Sequence, residues 1–323
     1  MQRAIAVFLA LLGAIAGLNT AIAQTAPADA MAWLKRIASA ARQTNYAGTF
    51  VYQHGRQVET SYVAHWSDAS GEAERLETLD GPQREIIRNN DNVTCYMPDS
   101  KTVVIEKRTA RQFPLLLPEQ LSGIAENYTV RRAEADRVAG HDCQNIALEP
   151  KDNLRYGHTF CADMASGLPL RARTYNESGG LVDHFAFTQI TIGPGVTKDM
   201  LKSRLAAKSQ TWQVDRSALE QRDATQAGKW VLRNELAGFK KLMEMKRTIA
   251  GRSAEVSHIV YSDGLAAVSV FVEPMPKSPP AAGATYQGAV NIYVKPFSDQ
   301  MVTVVGETPA RTIRQIAESV SPR

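Results

Sequence analysis

The sequence lacks the short motifs that mark the catalytic sites of common enzyme classes. Its 323 residues contain no G-x-S-x-G, H-E-x-x-H, Walker A or complete G-x-G-x-x-G pattern. These absences argue against the familiar nucleophile, zinc and phosphate-loop sites. Its six histidines are dispersed, and no two share the i, i+4 spacing of a helical metal site. The sequence therefore predicts a protein that is not an enzyme and that uses no cofactor or metal.

Cysteine is also scarce, with three residues in the whole chain. Without a C-x-x-C pair, a thiolate metal site is not expected. Cys143 and Cys161 stand in two strand-like runs, 143–149 and 156–163, which flank a turn at 150–153. Symmetric pairing about that turn brings the two cysteines close together. In an oxidising compartment this arrangement predicts a disulfide between them.

A long hydrophobic run occurs only at the N-terminus. Arg3 precedes the apolar stretch Ala4–Leu18, and Ala21-Ile22-Ala23 has the pattern that signal peptidase recognises. The run is shorter than the roughly 20 residues that span a bilayer, which leaves an uncleaved anchor as the alternative. The sequence predicts a signal peptide at 1–23 and an exported mature protein that does not span the membrane.

No strong excess of either charge marks the chain, whose formal net charge is +4. The excess lies in the last third, after residue 222. An exported protein is not expected to meet nucleic acid, so an acidic partner would be a peptide or the phosphates of a lipid. The alternative is an ordinary solvated surface.

Turn residues punctuate the first part of the chain at hairpin spacing. After a predicted helix at 30–43, short runs rich in β-branched and aromatic residues alternate with turns such as 55–57 and 98–100. This spacing predicts a meandering antiparallel sheet. The proline-broken apolar segment 113–127 interrupts the meander and predicts one or two short helices. These helices either close the core or cover an apolar cavity.

Large apolar side chains on these strands and helices are numerous enough to line a pocket for a lipid. The alternative is that they simply form the core. The candidate lipid-binding residues are Phe50, Tyr52, Tyr62, Trp66, Tyr96, Leu116, Leu117, Leu121, Phe185 and Phe187.

A polar stretch at 197–228 predicts a linker to a second group of strand-like runs. Within that group, His258–Glu273 predicts a hairpin around Ser262-Asp263-Gly264, because Asp-Gly readily adopts the positive φ angles of a tight turn. Apolar residues at helical spacing over 313–320 predict a C-terminal helix with one buried face. The second domain is thus expected to be a small antiparallel sheet covered by one helix.

Five collinear segments resemble a single protein family. They are similar to the periplasmic negative regulators of the envelope-stress sigma factor, the family of RseB and MucB. The matching segments are Trp33–Gly55, Asp80–Ile87, Tyr156–Arg171, Tyr261–Val270 and Val302–Val320.

The resemblance implies an α+β protein with two domains. The first, at 24–196, would be a lipid-sensing, LolA-like half-open antiparallel β-barrel with capping helices. The linker at 197–228 would lead to a smaller β-rich domain at 229–323, covered by the C-terminal helix, which would bind the partner. The implied activity is to bind the periplasmic part of a membrane-bound anti-sigma factor of the RseA or MucA type. The protein would protect it from site-1 proteolysis and be released by lipid or lipopolysaccharide.

Candidate partner-binding residues lie in the predicted second domain. They are Trp230, Phe239, Tyr261, Asp263, Phe271 and Arg311. For Tyr261 and Asp263, the alternative is that they only shape the turn.

Two other functions are compatible with an exported chain of this composition. One is a periplasmic lipid or lipoprotein carrier of the LolA type, which would not need a second domain. The other is an exported hydrolase, for which the sequence offers no nucleophile–base pair. The sequence leaves open whether the protein is a monomer or a homo-oligomer.

Overall fold

The described part of the protein is built on two large, mainly antiparallel sheets, each covered by a helix. The computed structural model describes residues 27–107, 117, 121, 123–216, 222–223, 229–248 and 255–323. The predicted signal peptide at 1–23 and the lipid-site candidate Leu116 lie outside these residues. None of the helices in the described ranges is long and apolar enough to cross a membrane.

The first sheet contains twelve strands of the described chain. Helix α1 (Pro27–Gln43) and the short helix α2 (Ile124–Asn127) accompany it. Its strands are β1 (Tyr46–His54), β2 (Gln57–Asp68), β3 (Gly71–Thr78), β4 (Glu85–Asn89), β5 (Asn92–Met97), β6 (Thr102–Lys107), β7 (Tyr128–Val138), β8 (His141–Pro150), β9 (Gly157–Asp163), β10 (Pro169–Tyr175), β11 (Leu181–Ile192) and β12 (Gln213–Asp215).

The strand order of this sheet is β12-β6-β5-β4-β3-β2-β1-β11-β10-β9-β8-β7. All neighbours are antiparallel except β12, which lies parallel to β6. No ladder between described strands joins β7 to β12, so the sheet stays open. The predicted half-open antiparallel architecture with covering helices is confirmed. We call this part, with α1 and α2, the first domain.

The core of the first domain lies on one face of this sheet. Leu34 and Ile37 of α1 are fully buried in it because apolar residues recur along the helix at intervals of three and four. Cys143 of β8 and Cys161 of β9 form a disulfide inside this core, with their Cα atoms 5.4 Å apart. This is the pairing that the sequence predicts.

The beginning of the predicted linker packs on the first domain. Val196 and Leu205 are buried, and the Glu85 carboxylate of β4 accepts hydrogen bonds from the Ser203 hydroxyl and from the Arg204 amide, the latter at 3.0 Å. β12 then adds to the sheet edge. Residues 197–215 are therefore ordered against the sheet, which the polar sequence did not indicate.

The second sheet has the order β13-β15-β16-β17-β20-β19-β18, and a separate two-stranded ladder pairs β14 with β21. The strands are β13 (Arg222–Asp223), β14 (Trp230–Leu232), β15 (Lys240–Thr248), β16 (Glu255–Ser262), β17 (Ala267–Pro274), β18 (Gly283–Gln287), β19 (Val290–Phe297), β20 (Gln300–Gly306) and β21 (Val320–Pro322). Helix α3 (Ala310–Ser319) buries Ile313, Ile316 and Ala317 against this sheet. This small helix-covered sheet, the second domain, is the predicted one.

The predicted hairpin is present as β16 and β17, but its turn is longer than a two-residue Asp-Gly turn. Ser262 pairs with Ala267, so four residues connect the strands. The Asp263 carboxylate accepts the backbone N–H groups of Leu265 at 2.9 Å and Ala266 at 2.7 Å. Gly264 adopts φ +97°, the conformation that favours glycine. An Asp side chain that bonds its own turn stabilises this longer connection.

Candidate functional site

A cleft of about 550 Å³ lies between α1 and the α2 region. Its apolar lining includes Met31, Leu121 and Ala125, and the charged residues among its described lining are the basic Lys35 and Arg42. The volume falls within the range of small-molecule sites, about 300–1,000 Å³. The cleft is therefore suited to an apolar chain that carries an anionic group.

The helical period of α1 produces this lining. Met31, Lys35, Ala38 and Arg42 follow one another at intervals of four, three and four residues, so they form one stripe along the helix. The neighbouring stripe, which includes Leu34 and Ile37, is buried in the core. The same helix thus anchors itself with one stripe and forms a cleft wall with the next.

Several predicted lipid-site residues fill the core beneath the cleft. The Phe50 ring lies 5.1 Å from that of Phe185 and 6.1 Å from that of Phe187, and all three side chains are buried. Leu117 and Leu121 belong to the same cluster. Of these residues, Leu121 also lines the cleft. The three phenylalanines therefore pack on one another in the core beneath the cleft.

Tyr62, Trp66 and Tyr96 lie on the other face of the first sheet, away from Phe50. Successive side chains of a strand point to opposite faces, and Tyr62 neighbours Val63, which belongs to the core cluster with Phe50. Tyr62 and Trp66 pack instead against Val196 in a separate cluster. Across neighbouring strands, Tyr96 pairs with Glu85, Glu85 pairs with Glu77, and Glu77 pairs with Tyr62. Because paired residues point to the same face of a sheet, Tyr96 lies on the same outer face as Tyr62. These three residues cannot line one pocket with Phe50.

Tyr52 lies where the two domains meet. Its hydroxyl donates to Asp183 Oδ2 at 3.4 Å, and His54 Nδ1 lies 2.8 Å from Asp183 Oδ1. Burial, with the nearby Asp183 charge, raises the pKa of Tyr52. A second cleft, of about 250 Å³, lies here between Tyr52 and residues of the second domain such as Gln287. Tyr52 is thus an interface residue in this structure.

A buried set of contacts between the domains converges on Asp263. Its Oδ2 atom accepts hydrogen bonds from Arg155 Nη1 and from the Tyr128 hydroxyl, each at 3.0 Å. The side chains of Arg155 and Asp263 are both fully buried. The Asn127 amide donates to the Asp263 carbonyl oxygen at 3.1 Å. The hairpin turn of the second domain is therefore held by three residues of the first.

Electrostatics keep Tyr128 in its donor form. Burial of the side chain and the negative charge of Asp263 raise the pKa of the Tyr128 hydroxyl far above its ordinary value. The neutral hydroxyl can donate to the carboxylate, whereas a phenolate would repel it. Arg155 also lies over the Tyr128 and Phe239 rings, 5.9 and 5.2 Å from their centroids.

The other predicted partner-binding residues are mostly internal. Phe239 and Tyr261 are buried in the core of the second domain, and the Trp230 ring packs edge-on against Phe297. Phe271 lies on the opposite face of its strand, half-buried and stacked on His258 at 4.4 Å. Arg311 is half-exposed, with Nε 3.7 Å from Glu177 of the first domain. Arg311 is therefore the exposed residue of the six, and Phe271 is half-buried on the face away from the core.

Sequence reasoning missed a buried polar cluster on the core face of the first sheet. Arg88 Nη2 donates to Glu74 Oε2 at 3.3 Å, and Tyr46 stacks on His65 at 5.0 Å. Burial raises the pKa of Glu74 to about 7 and lowers that of His65. The alternation of side chains along each strand points these groups into the core. The residues beside them in the sequence form no motif that would predict the cluster. The described residues contain no group of metal-binding side chains.

Family models and known proteins match both domains of the chain. Residues 29–205 match the family model of the MucB/RseB N-terminal domain, and residues 224–321 match that of the MucB/RseB C-terminal domain. The Pseudomonas aeruginosa sigma factor AlgU regulatory protein MucB is 32% identical over 309 residues, 94% of each chain. The Escherichia coli sigma-E factor regulatory protein RseB is 22% identical over 306 residues, 94% of this chain and 93% of that protein.

Solved structures agree with these matches. A chain of the Pseudomonas aeruginosa MucA/MucB complex superposes with a TM-score of 0.72 and 30% identity, covering 91% of this chain and 99% of that one. The crystal structure of MucB superposes with a TM-score of 0.65 and 30% identity, covering 92% of this chain and 98% of that one. The similarity thus extends over both sheets.

Proposed function

Because this chain belongs to the MucB/RseB family, we propose that it is a periplasmic regulator that binds the periplasmic part of a membrane-bound anti-sigma factor. Bound in this way, it would protect the anti-sigma factor from site-1 proteolysis and so act as a negative regulator of the envelope-stress sigma factor. The supporting observation is its superposition, over 91% of its length, on a MucB chain solved in complex with MucA(peri).

The release signal in this proposal is an anionic amphiphile, such as a lipid or a lipopolysaccharide fragment. The cleft between α1 and α2 supports it, because apolar Met31, Leu121 and Ala125 stand beside Lys35 and Arg42. An acyl chain would gain about 0.8 kcal/mol for each buried methylene, and the basic side chains would attract the phosphate.

We assign lipid sensing to the first domain, residues 24–196, and partner binding to the second, residues 229–323. Phe239 and Tyr261 would then shape the second domain from within its core, and Trp230, which is partly buried, would shape it by packing against that core. Phe271 and Arg311 would contact the partner directly. Residues 197–228 would connect the domains, with their first half fixed on the first sheet.

Binding is tested with the full mature chain and the periplasmic part of the anti-sigma factor from the same organism. We expect a stable complex in biolayer interferometry, slower cleavage of the anti-sigma factor by its site-1 protease, and weaker binding by Phe271→Ser. Tyr286→Ser is the matched control, because Tyr286 is 77% exposed on the edge strand β18. A chain that transfers lipid to an acceptor but binds no anti-sigma factor would instead be a carrier.

A further inference from the structure

Helix α2 lies between the cleft and the second domain. Ala125 lines the cleft, and Ile124 is fully buried in the first-domain core. Asn127 and Tyr128, at the end of the same helix, bind Asp263 of the second domain. Five consecutive residues thus form both a cleft wall and a contact between the domains.

On the second-domain side of α2, the hydrogen bonds of Asp263 leave its side chain little freedom to move. The Asp263 carboxylate accepts four hydrogen bonds, from Arg155, Tyr128, Leu265 and Ala266, at 2.7–3.0 Å. Loss of the Tyr128 donor would leave a buried charge with one bond fewer, which is unfavourable in a low-dielectric interior. A displacement of α2 must therefore weaken the hold on Asp263.

The α2 end is equally constrained. Lys151 donates from Nζ to the Ala125 carbonyl at 2.7 Å and from its backbone N–H to the Asn127 carbonyl at 3.0 Å. A Cβ atom on Gly238, which has φ +77°, would lie 2.2 Å from Asn127 Oδ1. A side chain at position 238 would therefore have to displace the Asn127 amide that donates to the Asp263 carbonyl. Because α2 is fixed on both sides, it transmits a displacement instead of absorbing it.

We propose that α2 couples the cleft to the domain interface, so that an amphiphile in the cleft loosens the hold of Asn127 and Tyr128 on Asp263. The identity of the amphiphile rests on the proposed function, but the coupling itself does not. Coupling between two sites is reciprocal: if the ligand weakens the contact with Asp263, weakening that contact raises the affinity for the ligand by the same factor.

The coupling is tested first without ligand. In the full mature chain, Ala125→Trp places a large side chain at the cleft wall, and Glu126→Trp places the same side chain at the next, exposed position outside the cleft lining. Amide hydrogen exchange of the 262–268 segment reports on the Asp263 turn. We expect amide exchange to be about tenfold faster in Ala125→Trp than in the unmodified protein, and unchanged in Glu126→Trp. A tenfold effect lies within the usual range of coupling between sites.

The second test uses dodecyl phosphate, a single-chain anionic amphiphile, with Tyr128→Phe and Tyr156→Phe. Both variants lose one hydrogen bond between the domains, since the Tyr156 hydroxyl accepts from Asn291 Nδ2 at 2.9 Å. Tyr128 directly follows α2, whereas Tyr156 is not adjacent to it. We expect Tyr128→Phe to bind dodecyl phosphate at least about fivefold more tightly. Tyr156→Phe should bind it as the unmodified protein does.

The outcomes separate the two proposals. If dodecyl phosphate does not bind but Ala125→Trp speeds exchange at 262–268, the coupling stands and the lipid-release function fails. If dodecyl phosphate binds and neither it nor Ala125→Trp changes that exchange, the coupling is wrong. Equal effects of both tryptophans, or of both phenylalanines, would also overturn it, because a general loosening of the interface would then explain the result.

Discussion

The Arg155 guanidinium donates to the Asp263 carboxylate at 3.0 Å across the boundary between the two domains, and both side chains are fully buried. A buried ion pair adds little net stability compared with an apolar contact, but losing one partner strands the other charge away from water. This pair therefore favours one arrangement of the domains and penalises partial separation. A polar linker at 197–228 would by itself allow the domains to move relative to one another. Such movement has to break the contact between Arg155 and Asp263.

Replacing Asp263 by Asn should destabilise the protein by about 3–5 kcal/mol, because Arg155 would remain buried without its counter-charge. Urea unfolding of the full mature chain measures the change. Asp152→Asn is the control, since Asp152 contacts the same guanidinium at 2.9 Å but is about one-third exposed. That variant should lose about 1 kcal/mol. Equal losses in the two variants would contradict the role given to burial.

Relative to the unmodified protein, Glu74→Gln should gain stability as the pH rises, whatever constant cost comes from removing the partner of Arg88. Burial raises the pKa of Glu74 to about 7 from the ordinary 4.5, so ionisation opposes folding once the pH exceeds the unfolded value. Between pH 5 and pH 8 the difference in unfolding free energy should shift by about 2–3 kcal/mol in favour of Glu74→Gln. Unfolding curves at pH 5, 6, 7 and 8 measure it. His65, whose pKa burial lowers, is common to both proteins and cancels. A difference independent of pH would show that Glu74 stays ionised throughout.

Reduction of the Cys143–Cys161 disulfide should cost about 3 kcal/mol, because the cross-link restricts the unfolded chain over a sequence separation of 18 residues. Thermal unfolding with and without reductant measures this loss. Cys95→Ser should show the same sensitivity to reductant, whereas Cys143→Ser should show none. A Cys143→Ser protein that still responded to reductant would point to a different cross-link.

Replacing Glu85 by Ala should release residues 197–215 from the first sheet. The Glu85 carboxylate accepts from Arg75 Nε at 2.7 Å and from the Arg204 amide at 3.0 Å, so its removal leaves buried donors unsatisfied. Limited proteolysis should then cut this segment about tenfold faster, as expected for a locally opened element. Glu59→Ala, on β2 of the same sheet and with an exposed side chain, should leave cleavage unchanged. Cleavage that stayed slow in Glu85→Ala would mean that the other contacts of the segment, such as β12 and buried Leu205, hold it without Glu85.

Local pattern was sufficient to predict most of the elements. Alternation and turn chemistry predicted the β16–β17 hairpin, and the symmetric runs around 150–153 predicted that Cys143 lies near Cys161. The same information could not assign faces across distant strands. Phe50 and Tyr62 are both aromatic strand residues, yet pairing places Phe50 in the core and Tyr62 on the outer face. A shift of one residue in register would reverse that assignment.

The sequence by itself determined the two-sheet class, the disulfide partners and the family, because these follow from residue type, short-range spacing and collinear motifs. The tertiary structure decided what Asp263 does. In the sequence it is a turn residue, and in the fold it holds its own turn with one oxygen and the first domain with the other. Its partners Tyr128 and Arg155 lie more than 100 residues away, at sequence separations of 135 and 108, so no local pattern could reveal them. Long-range packing likewise placed α2 between the cleft and this turn.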